Sequence, residues 1–190
     1  IGILNGKIEY VGPEIPAAGK YIDGRGLIAM PGFIDCHTHI PFTGNRSREF
    51  LMRLEGRSYM DIMKAGGGIR STTEAVRRAP ASALMAESSR FLDSMLSLGV
   101  TTVEGKSGYG LDREGELKQL RVLEALDEIH PIDVFSTFLG AHALPGEYSS
   151  RDEYLSSMIE IFDEVRKMTD TIDIFCEDGV FNVDQSRRYM

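Results

Sequence analysis

Residues 33–42 read FIDCHTHIPF. An apolar run ends there on two histidines, His37 and His39, with one residue between them. In a β-strand, residues i and i+2 point to the same face, so the two imidazoles can reach toward one point. That spacing suits two ligands of one metal ion. The plainer alternative is a pair of polar strand-end groups bonded to neighbouring loops. The other histidines of the chain are His130, just before Pro131 and expected to be structural, and His142.

Working outward from this strand, the same alternation repeats. Apolar stretches at 27–37 (LIAMPGFIDCH), 100–107 (VTTVEGKS), 132–142 (IDVFSTFLGAH) and 171–178 (TIDIFCED) read as strands. Between them lie helical patterns. Residues 47–66 form one, weakened at Gly56. Ser71 and Glu74 have the spacing of a capping box opening the next. After Pro80 a second stretch runs to Gly99, with Phe91, Leu92, Met95 and Leu96 on one face. Residues 113–129 and 151–167 are helical, and Asp184 is placed to cap a last helix. Strands that alternate with helices predict right-handed βαβ units and a parallel sheet, hence an α/β fold. Four such units fit a small open sheet or the first half of a (β/α)8 barrel, which needs about 250 residues. The half-barrel is preferred because His37, His39, KSGYG (106–110), GAHALP (140–145) and CEDG (176–179) all follow the C-terminal ends of strands, where barrel enzymes place their chemistry. Residues 1–26 are a separate β-rich segment, with Asn5-Gly6 as a hairpin turn and Asp23-Gly24 as another turn. The boundary is therefore expected at 26/27, with residues 27–190 in the half-barrel. The chain starts at Ile1 and stops just after Asp184 opens a helix, as expected of a fragment of a longer protein.

Composition narrows the function classes. The 190 residues carry a formal net charge of -8, with 42% hydrophobic and 26% charged residues. A nucleic-acid partner would need a basic face, and an anionic membrane surface likewise, so neither is expected. No apolar run approaches the ~20 residues of a membrane span, and the first residues lack a signal peptide's basic start. Cys36 and Cys176 have no CxxC partner and read as free thiols in a reducing cytosol, so the expected location is cytoplasmic. Lys106 and Ser107 do not make a phosphate loop, because GxxxxGK[ST] is absent.

The segment PGFIDCHTH, after a short β-rich stretch, resembles the first barrel strand of the amidohydrolase superfamily. GNRSREF, AGGGIRST, GVTTVEGKSGYGLD, ELKQLRVL, TFLGAHALPGEY and DIFCEDGVF are similar to the imidazolonepropionase family, from about residue 1 to 190. The resemblance implies a (β/α)8 barrel with a small β-sandwich domain, of which residues 1–26 are part. It implies that His37 and His39 are ligands of one divalent ion, Zn or Fe. A metal-activated water would then attack the ring carbonyl of 4-imidazolone-5-propanoate and open it to N-formimino-L-glutamate, a step of histidine degradation. Arg46 would hold the substrate's propionate, Tyr59 and Tyr109 would contact substrate, and His142 would donate a hydrogen bond to the ring or its developing charge. Arg48 is a neighbour that sequence alone does not exclude for the propionate. Glu177 and Asp178 are expected to be solvated or supporting. The remaining ligands and the acid/base residues would come from later strands, so residues 1–190 alone are expected to be inactive. The family also implies a homodimer. The alternatives are another cyclic-amide amidohydrolase or a deaminase with the same histidine pair, or a non-catalytic truncated half-barrel.

Overall fold

The computed structural model describes residues 1–14 and 17–190, and of residues 59, 63 and 64 only the backbone. Ile1–Pro31 and Gly32–Met190 are separate compact units.

In the first unit, β1 (Gly2–Leu4) pairs antiparallel with β2 (Lys7–Tyr10). Asn5 and Gly6 turn the chain with φ of 52° and 75°, the double positive φ that a two-residue hairpin turn demands.

The second unit is built on β3 (Phe33–Thr38), β4 (Val100–Lys106), β5 (Asp133–Ala141) and β6 (Ile172–Ile174). They form one parallel sheet in the order β3-β4-β5-β6. Helices α1 (Ser47–Leu54), α2 (Tyr59–Lys64), α3 (Ile69–Arg78) and α4 (Ala81–Ser97) connect β3 to β4. Helix α5 (Arg113–Ile129) connects β4 to β5, and α6 (Arg151–Ile159) with α7 (Phe162–Val165) connects β5 to β6. Helix α8 (Val183–Tyr189) follows β6. This is the expected α/β alternation, as a curled four-stranded parallel sheet.

The core lies between the sheet and its helices. Val103, Val134 and Phe138 of the sheet pack with Leu84 and Leu92 of α4 and Leu117, Leu120, Leu123 and Leu126 of α5. Each such side chain contributes about 1.5–3 kcal/mol when fully buried. The opposite face is different. Glu104, Lys106, Thr137 and Asp173 meet there: the Lys106 ammonium pairs with Glu104 at 2.6 Å and Asp173 at 3.0 Å, and the Thr137 hydroxyl donates to Glu104 at 2.6 Å.

Local elements depart from the sequence reading where a long-range contact or a single residue overrides the pattern. The first strand begins at Phe33, and Phe33 and Ile34 are 51% and 70% exposed rather than buried, because β3 is a sheet edge. The helix expected over 47–66 breaks at Gly56, which takes φ 79° and ends α1. Helix α3 starts at Ile69, so Ser71 and Glu74 are not a capping box. The Glu49 carboxylate accepts the Gly68 N–H at 2.9 Å instead, and Glu74 pairs with Arg70 and Arg78. The 151–167 helix divides into α6 and α7. Helix α8 is capped by Asn182 in a capping box with Gln185, not by Asp184. No helix among the described residues is long and apolar enough to cross a membrane.

Candidate active site

The strands are parallel, so their C-terminal ends share one rim, and four side chains meet there. His37 lies in β3 and is exposed, while His39 follows the strand's last residue and is partly buried. Their ring centroids are 5.4 Å apart. Tyr109 follows β4 and His142 follows β5. The His39 ring lies 4.9 Å from Tyr109 and 4.7 Å from His142, and the Tyr109 and His142 rings are 5.5 Å apart. Phe175, just past β6, closes the far side at 6.0 Å from His142. The turn after His39 is fixed from below: Ser88 of α4 donates to the Ile40 carbonyl at 3.1 Å, and Gln119 of α5 to the Pro41 carbonyl at 2.7 Å.

Both inner imidazoles are held by backbone. His39 Nδ1 is 3.0 Å from the Ser107 carbonyl oxygen, and His142 Nδ1 is 2.9 Å from that of Gly108. A carbonyl only accepts, so each Nδ1 carries the proton and each Nε2 of the neutral ring is left with a lone pair. Burial, with the neighbouring His142 adding to it, lowers the His39 pKa to about 4, so this ring is neutral at pH 7. Burial also holds the His142 pKa below its ordinary value. Neutral His142 therefore presents Nε2 as an acceptor. Burial raises the Tyr109 pKa, so its phenol keeps its proton.

The loop that supplies these carbonyls, residues 107–112, is itself held by α5. Glu116 is fully buried, with one carboxylate oxygen accepting from Gly108 N–H at 3.0 Å and the other from Gly110 and Leu111 N–H at 2.9 and 2.8 Å. Burial pushes this carboxyl up, while the Ser107 hydroxyl and the three N–H groups act against that shift. Gln119 Oε1 accepts from Tyr109 and Gly110 N–H at 3.1 and 2.8 Å. Leu111 takes φ 53°, unusual for a residue with a branched side chain. Arg77 of α3 holds it from the other side, donating to the Gly110 and Leu111 carbonyls at 2.6 and 3.0 Å while pairing with Asp112 and Glu147. Sequence reasoning missed Glu116 and Gln119. Both are buried, although in ELKQLRVL they stand among further polar residues, Lys118 and Arg121, and nothing in the stretch sets them apart. It also missed the Glu104–Lys106–Asp173 group.

Arg46 is the N-cap residue of α1, and its guanidinium grips Glu49 with two hydrogen bonds of 3.0 and 2.7 Å. Its charge opposes the burial that raises the Tyr109 pKa. Tyr59 opens α2, and its side chain lies outside the described residues. Cys36 and Cys176 are free thiols, both exposed. Glu177 and Asp178 are exposed. His130 caps α5, accepts the Ile132 N–H at 3.1 Å and lies 3.4 Å from Asp93, away from this rim.

The donor set fits two ligands of a borderline metal. His39 offers a bare Nε2 with its Nδ1 fixed by a carbonyl, the arrangement in which metal-binding imidazoles are held. His37 stands beside it. Among the described residues, no group of three or more His, Cys, Asp or Glu side chains is placed to hold an ion. These residues thus fit part of a metal site and not a whole one.

No family model matches the chain. Individual proteins do. It is 55% identical over 190 residues to an imidazolonepropionase of Kosmotoga olearia, covering 100% of this chain and 47% of that protein. It is 48% identical over 203 residues to one of Geobacillus kaustophilus, covering 48% of that protein. It is 47% identical over 201 residues to one of Phocaeicola vulgatus, again 48% of its length. The chain spans about half the length of the curated relatives it matches. From its first residue to its last, the chain is similar to proteins named imidazolonepropionase.

Proposed function

We propose that this chain is half of a metal-dependent hydrolase that opens the ring of 4-imidazolone-5-propanoate to N-formimino-L-glutamate, and that its four strands are half of a (β/α)8 barrel. One observation carries the reading. His37, His39, Tyr109 and His142, from three different strand ends, converge on one rim in a chain whose relatives are named imidazolonepropionase. The exposed Phe33, Ile34 and Phe135 on the sheet, 51%, 70% and 65% accessible, support further strands packing there.

His37 and His39 would hold a Zn or Fe ion through imidazole nitrogens. Such an ion, when bound, acidifies a water so that hydroxide is available at neutral pH. The chain's own residues do the rest of what falls to this half. The Arg46 fork matches the substrate's carboxylate, sharing its guanidinium with Glu49. Tyr109, protonated at neutral pH, offers a hydroxyl donor beside the rings. Neutral His142 offers Nε2 as an acceptor for a ring N–H, or takes up a proton there. The Phe42 and Phe175 rings border that side of the rim, 6.4 Å from Tyr109 and 6.0 Å from His142.

The test uses protein expressed from the full reading frame. We expect about one equivalent of Zn or Fe and conversion of imidazolone propanoate to formiminoglutamate, both lost in the His37→Ala/His39→Ala double variant. A folded, metal-loaded protein that leaves the imidazolone ring closed would overturn the reading.

A further inference from the structure

Two consecutive peptide units of the 107–109 loop each carry a bond at both ends. In the Ser107–Gly108 unit, the carbonyl faces His39 Nδ1 at 3.0 Å and the N–H faces the Glu116 carboxylate at 3.0 Å. In the Gly108–Tyr109 unit, the carbonyl faces His142 Nδ1 at 2.9 Å and the N–H faces Gln119 Oε1 at 3.1 Å. No peptide bond among the described residues is cis, so in each unit N–H and C=O point in opposite directions across one rigid plane. An acceptor on the N–H side fixes that plane and polarises its carbonyl, which strengthens the bond on the other side.

From this juxtaposition we propose that Glu116 and Gln119 are positioning residues: Glu116 orients His39 through one peptide unit, and Gln119 orients His142 through the next. The proposal rests on the reading of His39 and His142 as site residues. Both residues lie on α5, one helical turn apart, which places their acceptors under successive loop amides. The arrangement is over-determined. Glu116 also holds the Gly110 and Leu111 N–H groups, and Gln119 holds that of Gly110. The Gln119 amide donates to the Pro41 carbonyl, two residues past His39, so it ties the β3 turn to the β4 loop. The Ser107 hydroxyl accepts the Leu139 N–H at 3.0 Å while bonding Glu116, which anchors the same carboxylate to β5. Glu116 accepts three loop N–H groups and Gln119 two, so the two histidines are held with unequal strength.

The pairing predicts a double dissociation that a general structural role would not give. Full-length protein with ¹⁵N-labelled histidine is studied by NMR, as purified and again after chelation, for the tautomer and the Nδ1–H proton shift of each ring. In the parent, both rings show Nδ1–H. In Glu116→Gln, the His39 signal moves upfield or loses its single tautomer, and His142 changes less. In Gln119→Met, which keeps the carboxylate, the order reverses. Glu116→Asp returns part of the His39 signal. In the ring-opening assay, each variant loses about 10- to 100-fold in kcat, the usual effect of removing a ligand's supporting bond. If Glu116→Gln does not fold, Gln119→Met decides alone through the His142 shift. Equal changes at both histidines in either folded variant, or no change at either, would overturn the proposal. The NMR readout needs no substrate. A protein that shows the dissociation but does not open imidazolone would sink the proposed function and leave this inference standing.

Discussion

His39 and His142 stack with ring centroids 4.7 Å apart and planes 14° from parallel, although they end strands β3 and β5, which β4 separates. Stacking at this distance is compatible with two neutral rings and not with two imidazolium ions. Below pH 7 the pair therefore resists protonation. The His39 pKa is lowered to about 4, mainly by burial. An unfolded-chain histidine titrates near about 6.5. Between those values the unfolded state binds more protons, so stability is complete above the upper value and falls as pH drops toward the lower one. In metal-free protein, the unfolding midpoint should decline over that window, and His39→Asn should flatten the decline. An equal slope in parent and variant would count against a buried neutral His39.

Arg46 and Glu49 form a second test. The guanidinium binds Glu49 through two bonds, and the same carboxylate accepts the Gly68 N–H. If Arg46 also grips the substrate's propionate, Arg46→Gln should raise KM about 10- to 100-fold, the range of a lost charge-assisted bond, with a smaller change in kcat. Arg48→Gln should leave KM near the parent value. The reverse pattern would assign the propionate to Arg48. Glu49→Gln should loosen the glycine-rich turn before α3, which hydrogen exchange at Gly68 would report.

How much of this was legible in advance differs from element to element. The β/α alternation and the span of α5 followed from periodicity, because α5 has a long apolar face, an Asp112 cap and Pro131 beyond its end. The histidine pair was legible because a period of two puts His37 and His39 on one side. The Ser71–Glu74 box was not, since a distant carboxylate, Glu49, had already satisfied the Gly68 amide. Glu116 was illegible for a similar reason. A glutamate in a helix normally reads as solvated, and only the fold reveals that loop amides converge on it. The tautomer of His142 depends on the Gly108 carbonyl, which no pattern of side chains encodes.

Lys106 carries a prediction about the inner face of the sheet. It is 5% exposed and pairs with both Glu104 and Asp173. Burial would lower its pKa, but the two carboxylates outweigh that and hold it above its ordinary value. Lys106→Met removes the cation that pairs with both and leaves two carboxylates facing each other. The expected cost is about 1–3 kcal/mol, reduced by the solvent that reaches Asp173. Adding Asp173→Asn should recover part of it, because the repulsion goes with the charge. A denaturant midpoint unchanged in Lys106→Met would sink this account.

Gly110 and Gly115 set the height of the loop above α5. A Cβ on Gly110 would run into the backbone of Gly115 and Glu116, and one on Gly115 would lie 2.6 Å from the Gly110 Cα. Backbone lines both sides of this contact, so no side chain can swing away. The closeness has a use: it brings the Gly110 N–H within 2.9 Å of Glu116 and 2.8 Å of Gln119. Gly110→Ala and Gly115→Ala should each lower stability by about 1–3 kcal/mol, the cost of overpacking a closed contact. Their double variant should lose less than the sum, because either alanine already lifts the loop off the helix. Gly146→Ala is the control. Its Cβ would meet nothing within 4 Å, so its effect should stay within about 0.5 kcal/mol. Denaturant midpoints of the four variants decide the matter: strict additivity of Gly110→Ala and Gly115→Ala would mean that the two glycines do not share one contact.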